Sequence, residues 1–156
     1  PQDPTGGAQS GAAYLFESTT KSDPGSYWIY GASCLGSNGK LPKMGFSGRP
    51  VLAQSFDIEV SGGPATALAV LGFDRSRQNV PLGFLNAPGC TFLALPLIPV
   101  SLVTDADGRG KLTLPVPGIA SLIGANLYVQ WITRDAAANT LGFTFSDGGR
   151  ITFGTP

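Results

Sequence analysis

Apolar and polar residues alternate along several short stretches of the chain. In Ser55–Ser61 the apolar residues occupy every second position, and Asp57 and Glu59 fall on the opposite face. The same alternation recurs in Lys111–Val116, Leu127–Trp131 and Leu141–Phe145. A period of two residues indicates half-buried β-strands rather than helices.

Glycine and proline separate these stretches at short intervals, with 22 glycines and 13 prolines in 156 residues. That spacing is typical of a sandwich or barrel of short strands. Asp147-Gly148 predicts a tight hairpin between Thr140–Ser146 and Arg150–Phe153, because Asp-Gly favours the backbone angles of such turns. In the same way Asp107-Gly108 predicts a second hairpin, and Asn38-Gly39 predicts a further turn.

Helical signals are limited to two short turns, at Ile119–Ile123 and at Asp135–Ala138, where Asp135 is a candidate cap. We therefore predict an all-β fold: a single-domain antiparallel β-sandwich, jelly-roll or immunoglobulin-like, over residues 27–156. Residues 1–26 form an N-terminal extension that begins with small, polar residues of linker composition. Within it lies a strand-like run, and the candidate docking strand comprises Ala13, Tyr14, Leu15, Phe16 and Glu17.

Charge is scarce and balanced. Charged residues make up 13% of the chain, against a usual share of about 25%. Ten acidic and ten basic residues cancel, and zero net charge favours association. The basic residues are scattered singly, which argues against nucleic acid as a partner. Since no apolar run approaches the roughly 18 residues of a membrane span, we expect none.

Two cysteines, Cys34 and Cys90, bear on the compartment. In an oxidising environment an even pair is normally a disulfide, and the alternative is a pair of buried free thiols. The chain begins at Pro1 rather than Met, as it would after removal of an export signal, although a trimmed chain would look the same. We expect a secreted protein, extracellular or on the cell surface.

Candidate chemistry is sparse because the chain has no histidine. That removes the commonest general base and most zinc and copper sites. Ser37 lies in a Gly-rich turn sequence without a base. Asp57 and Glu59 share one strand face, where we interpret them as surface charges rather than the carboxylate pair of a glycosidase. We therefore expect no enzyme activity, with an unusual hydrolase as the least favoured alternative.

Asp105 and Asp107 resemble part of a calcium loop. Calcium binds several oxygens at close range, and two aspartates around a tight turn supply some of them. The position of the glutamate that would complete an EF-hand holds Val116. Two interpretations stay open: a turn alone, which we favour, or a turn that also binds calcium.

Aromatic residues offer a second candidate site, for carbohydrate. Tyr27, Trp28 and Tyr30 cluster near the first loop, and Tyr128 and Trp131 share a later strand. Such rings form flat platforms for sugars, but they are also typical of a sandwich core, which we favour. Tyr27 and Trp28 point to opposite faces if they lie on a strand.

An ordered set of motifs resembles a known group of domains. The motifs are Gly31–Gly39, Gly48–Leu52, Pro81-Leu82, Pro88–Cys90, Asp105–Gly108, Leu112–Pro117, Leu122–Gly124, Leu127–Trp131, Ala138-Asn139 with Gly142, and Ser146–Gly148. Together they resemble a mostly uncharacterised family of exported bacterial β-sandwich domains, over roughly Gly31 to Gly154. The resemblance implies a Cys34–Cys90 disulfide and no enzyme activity.

The chain is also similar to the small β-sandwich subunits of beaded extracellular nanofibres, which an exchanged terminal strand joins together. Its own N-terminal strand distinguishes it from the appended domains of the first family. The leading hypothesis is a structural subunit that forms a homopolymer outside the cell, with Gln9–Thr20 docking on a neighbour's sheet. The alternative is a secreted carbohydrate- or surface-binding module with polysaccharide as its partner.

Overall fold

Ten strands account for nearly all the regular structure of the described chain. The computed structural model describes residues 24–156, so the predicted docking strand Ala13–Glu17 lies outside the described residues. The strands are β1 (Ser26–Tyr30), β2 (Lys43–Ser47), β3 (Ser55–Ser61), β4 (Leu68–Asp74), β5 (Val80–Pro81), β6 (Thr91–Phe92), β7 (Ile98–Val103), β8 (Gly110–Pro115), β9 (Asn126–Arg134) and β10 (Phe143–Thr152). Short 3-10 helical turns occur at Gly83–Leu85 and Ala120–Leu122.

The strands form an antiparallel β-sandwich, as the alternating pattern predicts. One sheet has five strands in the order β1-β10-β9-β4-β7, and the other has three in the order β2-β3-β8. The edges of the two sheets are therefore β1 and β7 in the larger sheet and β2 and β8 in the smaller. A separate two-stranded pair joins β5 to β6.

The core lies between these two sheets. Alternate residues of β3 are buried, whereas Asp57 and Glu59 fall on the other face, which confirms the prediction for Ser55–Ser61. Trp131 of β9 is fully buried, and its indole Nε1 donates to the carbonyl oxygen of Glu59 at 3.0 Å. This bond joins the centre of one sheet to the centre of the other.

A third layer covers the outer face of the five-stranded sheet. We call residues 75–97, between β4 and β7, the covering segment; it contains β5, a 3-10 turn and β6. A second apolar cluster lies beneath it, separate from the main core, and includes Leu82, Ile132 and Phe145. The predicted disulfide is confirmed: Cys34 is bonded to Cys90 of the covering segment, with the Cα atoms 4.9 Å apart.

The hairpin predicted at Asp147-Gly148 is wrong. β10 runs continuously from Phe143 to Thr152, with an irregularity in its pairing with β9 between Phe145 and Gly148. A β-bulge accommodates the extra residue without reversing the chain. Asp147 is buried there, and Gly148 lies so close to the Tyr30 ring that a Cβ would come within 2.6 Å of it.

The turn at Asp107-Gly108 is present, but it does not form a hairpin. It connects β7 of the larger sheet to β8 of the smaller one, so the two flanking strands do not pair with each other. The Asn38-Gly39 turn is confirmed by a hydrogen bond from the Gly36 amide to the Lys40 carbonyl at 2.9 Å.

The two predicted helical turns have different outcomes. Ala120–Leu122 is a 3-10 turn within the predicted range. At Asp135 the backbone carbonyl accepts the amide of Ala138, but the carboxylate accepts the amide of Ser37 instead of capping this turn. Among the described residues, no helix is long and apolar enough to cross a membrane.

Candidate functional site

The predicted calcium loop is organised by its own backbone. Asp105 Oδ1 accepts hydrogen bonds from the amides of Asp107 and Arg109, both at 2.9 Å. Across residues 24–156, no group of three or more acidic or cysteine side chains comes together as metal ligands. Calcium takes six to eight oxygen ligands, of which Asp105 and Asp107 would supply only a part, so calcium binding at this turn stays a prediction. The geometry accounts for Asp105 as the residue that shapes the turn.

Asp57, one of the two carboxylates considered for catalysis, has structural partners. Asp57 Oδ1 accepts a hydrogen bond from Thr113 Oγ1 at 2.6 Å, and its Oδ2 lies 3.4 Å from Lys111 Nζ. The hydrogen bond from Thr113 lowers the pKa of Asp57 below its usual value. The positive charge of Lys111 also lowers it, whereas partial desolvation raises it. Ser37 lies in the Asn38-Gly39 turn, where its amide donates to Asp135 at 2.8 Å.

Asp74 fastens both ends of the covering segment to the sheet. Its carboxylate accepts from the amides of Ser76 and Leu95, at 3.1 and 2.9 Å, and from Gln78 Nε2 at 3.0 Å. Burial raises the pKa of this carboxyl, but the hydrogen bonds outweigh burial and leave the pKa lowered. In the sequence Asp74 is the last residue of the apolar strand β4, and nothing in that pattern indicates that it holds the covering segment.

Gln130 and Tyr30 hold the middle of the covering segment. The buried Gln130 side chain accepts the Leu93 amide at 3.0 Å and donates to the Thr91 carbonyl at 2.9 Å. The Tyr30 hydroxyl donates to the Leu93 carbonyl at 2.6 Å, and burial raises its pKa to about 12. The role of Gln130 was not predicted from the sequence, although a lone amide inside the apolar run Leu127–Ile132 is a usable signal, because buried amides need partners.

Asp147 accepts a hydrogen bond from the edge strand of the smaller sheet. Its carboxylate, in the β10 irregularity, accepts the backbone amide of Met44 at 2.8 Å. Met44 lies on β2, the edge strand of the smaller sheet, so a backbone donor that would otherwise face a free edge is satisfied. Burial raises the pKa of Asp147, with the Met44 hydrogen bond opposing it.

The aromatic cluster does not form a flat multi-ring platform. Tyr27 faces the core and stacks on Phe46 with ring centroids 4.2 Å apart, and Tyr30 and Trp131 are buried. Trp28, on the opposite face of β1, is 49% exposed. Tyr27 and Trp131 thus pack in the core between the sheets, Tyr30 is buried beneath the covering segment, and the predicted divergence of Tyr27 and Trp28 is confirmed.

Two arginines surround the exposed Trp28. The guanidinium of Arg150 lies over the Trp28 ring, with Cζ 4.8 Å from the centroid. Arg77 of the covering segment lies 5.6 Å from the Trp28 centroid and 4.3 Å from that of Tyr30. We call Trp28, Arg77 and Arg150 the aromatic–arginine patch.

The opposite edge of the larger sheet is apolar. β7 has the sequence Ile98-Pro-Val-Ser-Leu-Val103, without a charged side chain. Ile98 and Val103 are 66% and 62% exposed, and Leu68, paired with Val103 on β4, is also exposed. Exposed apolar side chains along a free edge favour an interaction with another chain.

Comparison of the chain with protein-family models, with curated proteins and with solved structures gave no match. The resemblance to exported bacterial β-sandwich domains therefore stays a prediction. The fold and its surfaces define the class: a disulfide-linked antiparallel β-sandwich with one apolar free edge and one aromatic–arginine patch.

Proposed function

We propose that this protein is a structural subunit of an extracellular filament or surface assembly, formed when the N-terminal strand of one copy adds to the sheet of the next. The observation that carries the proposal is the apolar free edge of β7. The Cys34–Cys90 disulfide supports an oxidising compartment, as expected for a secreted protein. Zero net charge supports close association of identical copies.

The backbone of β7 is suited to accept a strand. The Thr104 amide donates to the Ala67 carbonyl at 2.9 Å, and in antiparallel pairs such bonded residues alternate with residues that direct both backbone groups away. By this alternation Ser101 and Val103 direct their N–H and C=O groups towards the free edge. An incoming strand would pair with these groups, and its Tyr14 and Phe16 would pack on the exposed apolar side chains.

The other three edges are less suitable. Asp147 satisfies the Met44 amide on the β2 edge, and β8 carries Lys111 beside Asp57. Charged side chains are a common protection of edge strands. β1 is the strand that the N-terminal extension enters, so docking there would bring two extensions to one edge.

The positions of the two ends favour an open chain of subunits. The extension joins β1, and β7 lies at the other edge of the same sheet, four strand spacings or about 19 Å away. A head-to-tail contact of this kind, repeated without closure, gives a fibre.

Negative-stain electron microscopy of purified protein tests the proposal. We expect regular beaded fibres from the full chain and folded monomers after deletion of residues 1–20. Val103→Lys places a charge on the β7 edge and should abolish fibres, whereas the matched Ile29→Lys, at an exposed position of β1, should leave them. Fibres that persist after the deletion, or that respond to Ile29→Lys rather than Val103→Lys, would contradict it.

A further inference from the structure

The aromatic–arginine patch is built from two separate parts of the fold. Trp28 and Arg150 are direct neighbours across the β1–β10 pairing. Arg77 comes from the covering segment, where its sequence neighbours Ser76 and Gln78 both donate hydrogen bonds to the Asp74 carboxylate. Both guanidinium groups are therefore positioned by the fold against one exposed ring.

The charges of the patch are not neutralised within the described chain. Among residues 24–156 the only ion pair joins Lys111 to Asp57, and neither the Arg77 nor the Arg150 side chain donates a hydrogen bond. Arg150 Nε is shielded from solvent and has no partner there. An unpaired buried donor is unfavourable, so internal hydrogen bonding does not explain the position of Arg150.

Stacking on an aromatic face leaves the donor edge of a guanidinium available. Cation–π contact orients the planar group, and its N–H groups then fit a carboxylate or a sulfate in a bidentate manner. Trp28 contributes an exposed apolar ring beside these donors, a combination that suits a sugar carrying an acidic group. A neutral sugar would leave both charges unused.

We propose that the aromatic–arginine patch binds an acidic polysaccharide, with its carboxylate or sulfate groups held by Arg77 and Arg150 and a sugar ring against Trp28. The chain has no net charge, so this binding depends on the local arrangement and not on a general attraction to anions. The proposal is independent of polymerisation, because the patch lies at the opposite edge of the sheet from β7.

Tryptophan fluorescence offers a direct test with the full chain. Trp131 is fully buried, so changes caused by a surface ligand report mainly on Trp28. The protein is titrated with polygalacturonate, with dextran sulfate and with neutral dextran. We expect a saturable change with polygalacturonate or dextran sulfate, weakened by added salt, and none with dextran. The two anionic polymers distinguish a carboxylate from a sulfate ligand.

Charge-matched variants locate the binding. Arg77→Gln and Arg150→Gln should each weaken binding about tenfold, as expected for loss of one charge-assisted contact. Arg49→Gln, an exposed arginine with no ring contact, should not change it. Arg77 is exposed, so its variant keeps the test valid if Arg150→Gln fails to fold. Equal weakening by Arg49→Gln, equal binding of neutral dextran, or no binding of either anionic polymer would overturn the proposal.

Discussion

Gln130 binds Leu93 much as a neighbouring strand would: its side-chain Oε1 accepts the Leu93 backbone amide at 3.0 Å. The same side chain donates through Nε2 to the carbonyls of Thr91 and Ser146, at 2.9 and 2.8 Å. A single amide thus satisfies three backbone groups and joins the covering segment to the centre of the larger sheet.

Replacing Gln130 by methionine should destabilise the protein markedly. The variant keeps the side-chain length but leaves the three backbone groups without partners, at about 1–3 kcal/mol for each buried group. We expect a loss of about 3 kcal/mol in the free energy of unfolding, measured by urea denaturation. Gln54→Met, at an exposed position, is the control and should change stability by less than about 0.5 kcal/mol. A small effect at Gln130 would mean that water replaces its hydrogen bonds.

Asp74→Asn should weaken the attachment of the covering segment at neutral pH. The folded pKa of Asp74 lies below its unfolded value of 3.8, so its contribution is present above that pH and is lost as pH falls through the folded pKa. Hydrogen bonds to a charged group contribute about 1.5–3 kcal/mol, and we expect a loss of about 2 kcal/mol at pH 7. The difference from the parent protein should shrink below pH 3.8. A difference that is constant with pH would rule out the charge as its cause.

Asp147→Asn should have the opposite pH dependence. The folded pKa of Asp147 is raised, so its favourable contribution is complete below 3.8 and is lost as pH rises through the folded pKa. At pH 7 the variant removes a buried charge while its amide oxygen can still accept the Met44 amide. We expect Asp147→Asn to be at least as stable as the parent at pH 7, with the parent gaining on it during acidification. Thermal unfolding from pH 3 to pH 7 measures both trends.

Gly108 cannot carry a side chain, for two reasons. Its φ of +73° is in the left-handed region, and a Cβ there would collide with the backbone of Gly63. Gly39 has a similar φ of +75° with open space around it. Gly39→Ala should therefore lose about 1–2 kcal/mol from backbone conformation alone. Gly108→Ala should lose clearly more, because the backbone of residues 62–63 must move. Equal losses in chemical denaturation would show that this loop shifts freely.

Reduction of the Cys34–Cys90 disulfide should loosen the covering segment before the sandwich. The bond closes a loop with a sequence separation of 56 residues, for which about 2–4 kcal/mol of stabilisation is typical. We expect faster hydrogen–deuterium exchange in residues 75–97 after reduction, with β3 and β9 changed much less. In the double variant Cys34→Ala/Cys90→Ala, the reductant should have no further effect. Uniform loss of protection throughout the chain would instead show that the disulfide stabilises the whole fold.

Local pattern was enough to predict the class of fold and several of its parts. The alternation in Ser55–Ser61 predicts the strand and its buried face correctly, because side chains on a strand point to alternate faces whatever the neighbouring strand is. The short helical turn near Ala120 was likewise predicted from a local signal. The strand and the helical turn depend on residues close in sequence, which is why local pattern predicts them. The Cys34–Cys90 disulfide was one of two interpretations that the cysteine pair left open, and the family resemblance implied it.

Only the tertiary structure decided where distant residues meet. Asp147-Gly148 has the sequence of a hairpin turn, yet its carboxylate is needed at Met44 and its glycine lies against Tyr30, so the strand continues. Trp28 and Arg150 are 122 positions apart and become neighbours through the β1–β10 register. The order of strands in a sheet depends on long-range packing of the whole chain, and local propensity carries no information about it. For this reason the sequence predicted the strands, whereas the free edge of β7 and the aromatic–arginine patch emerged only from the fold.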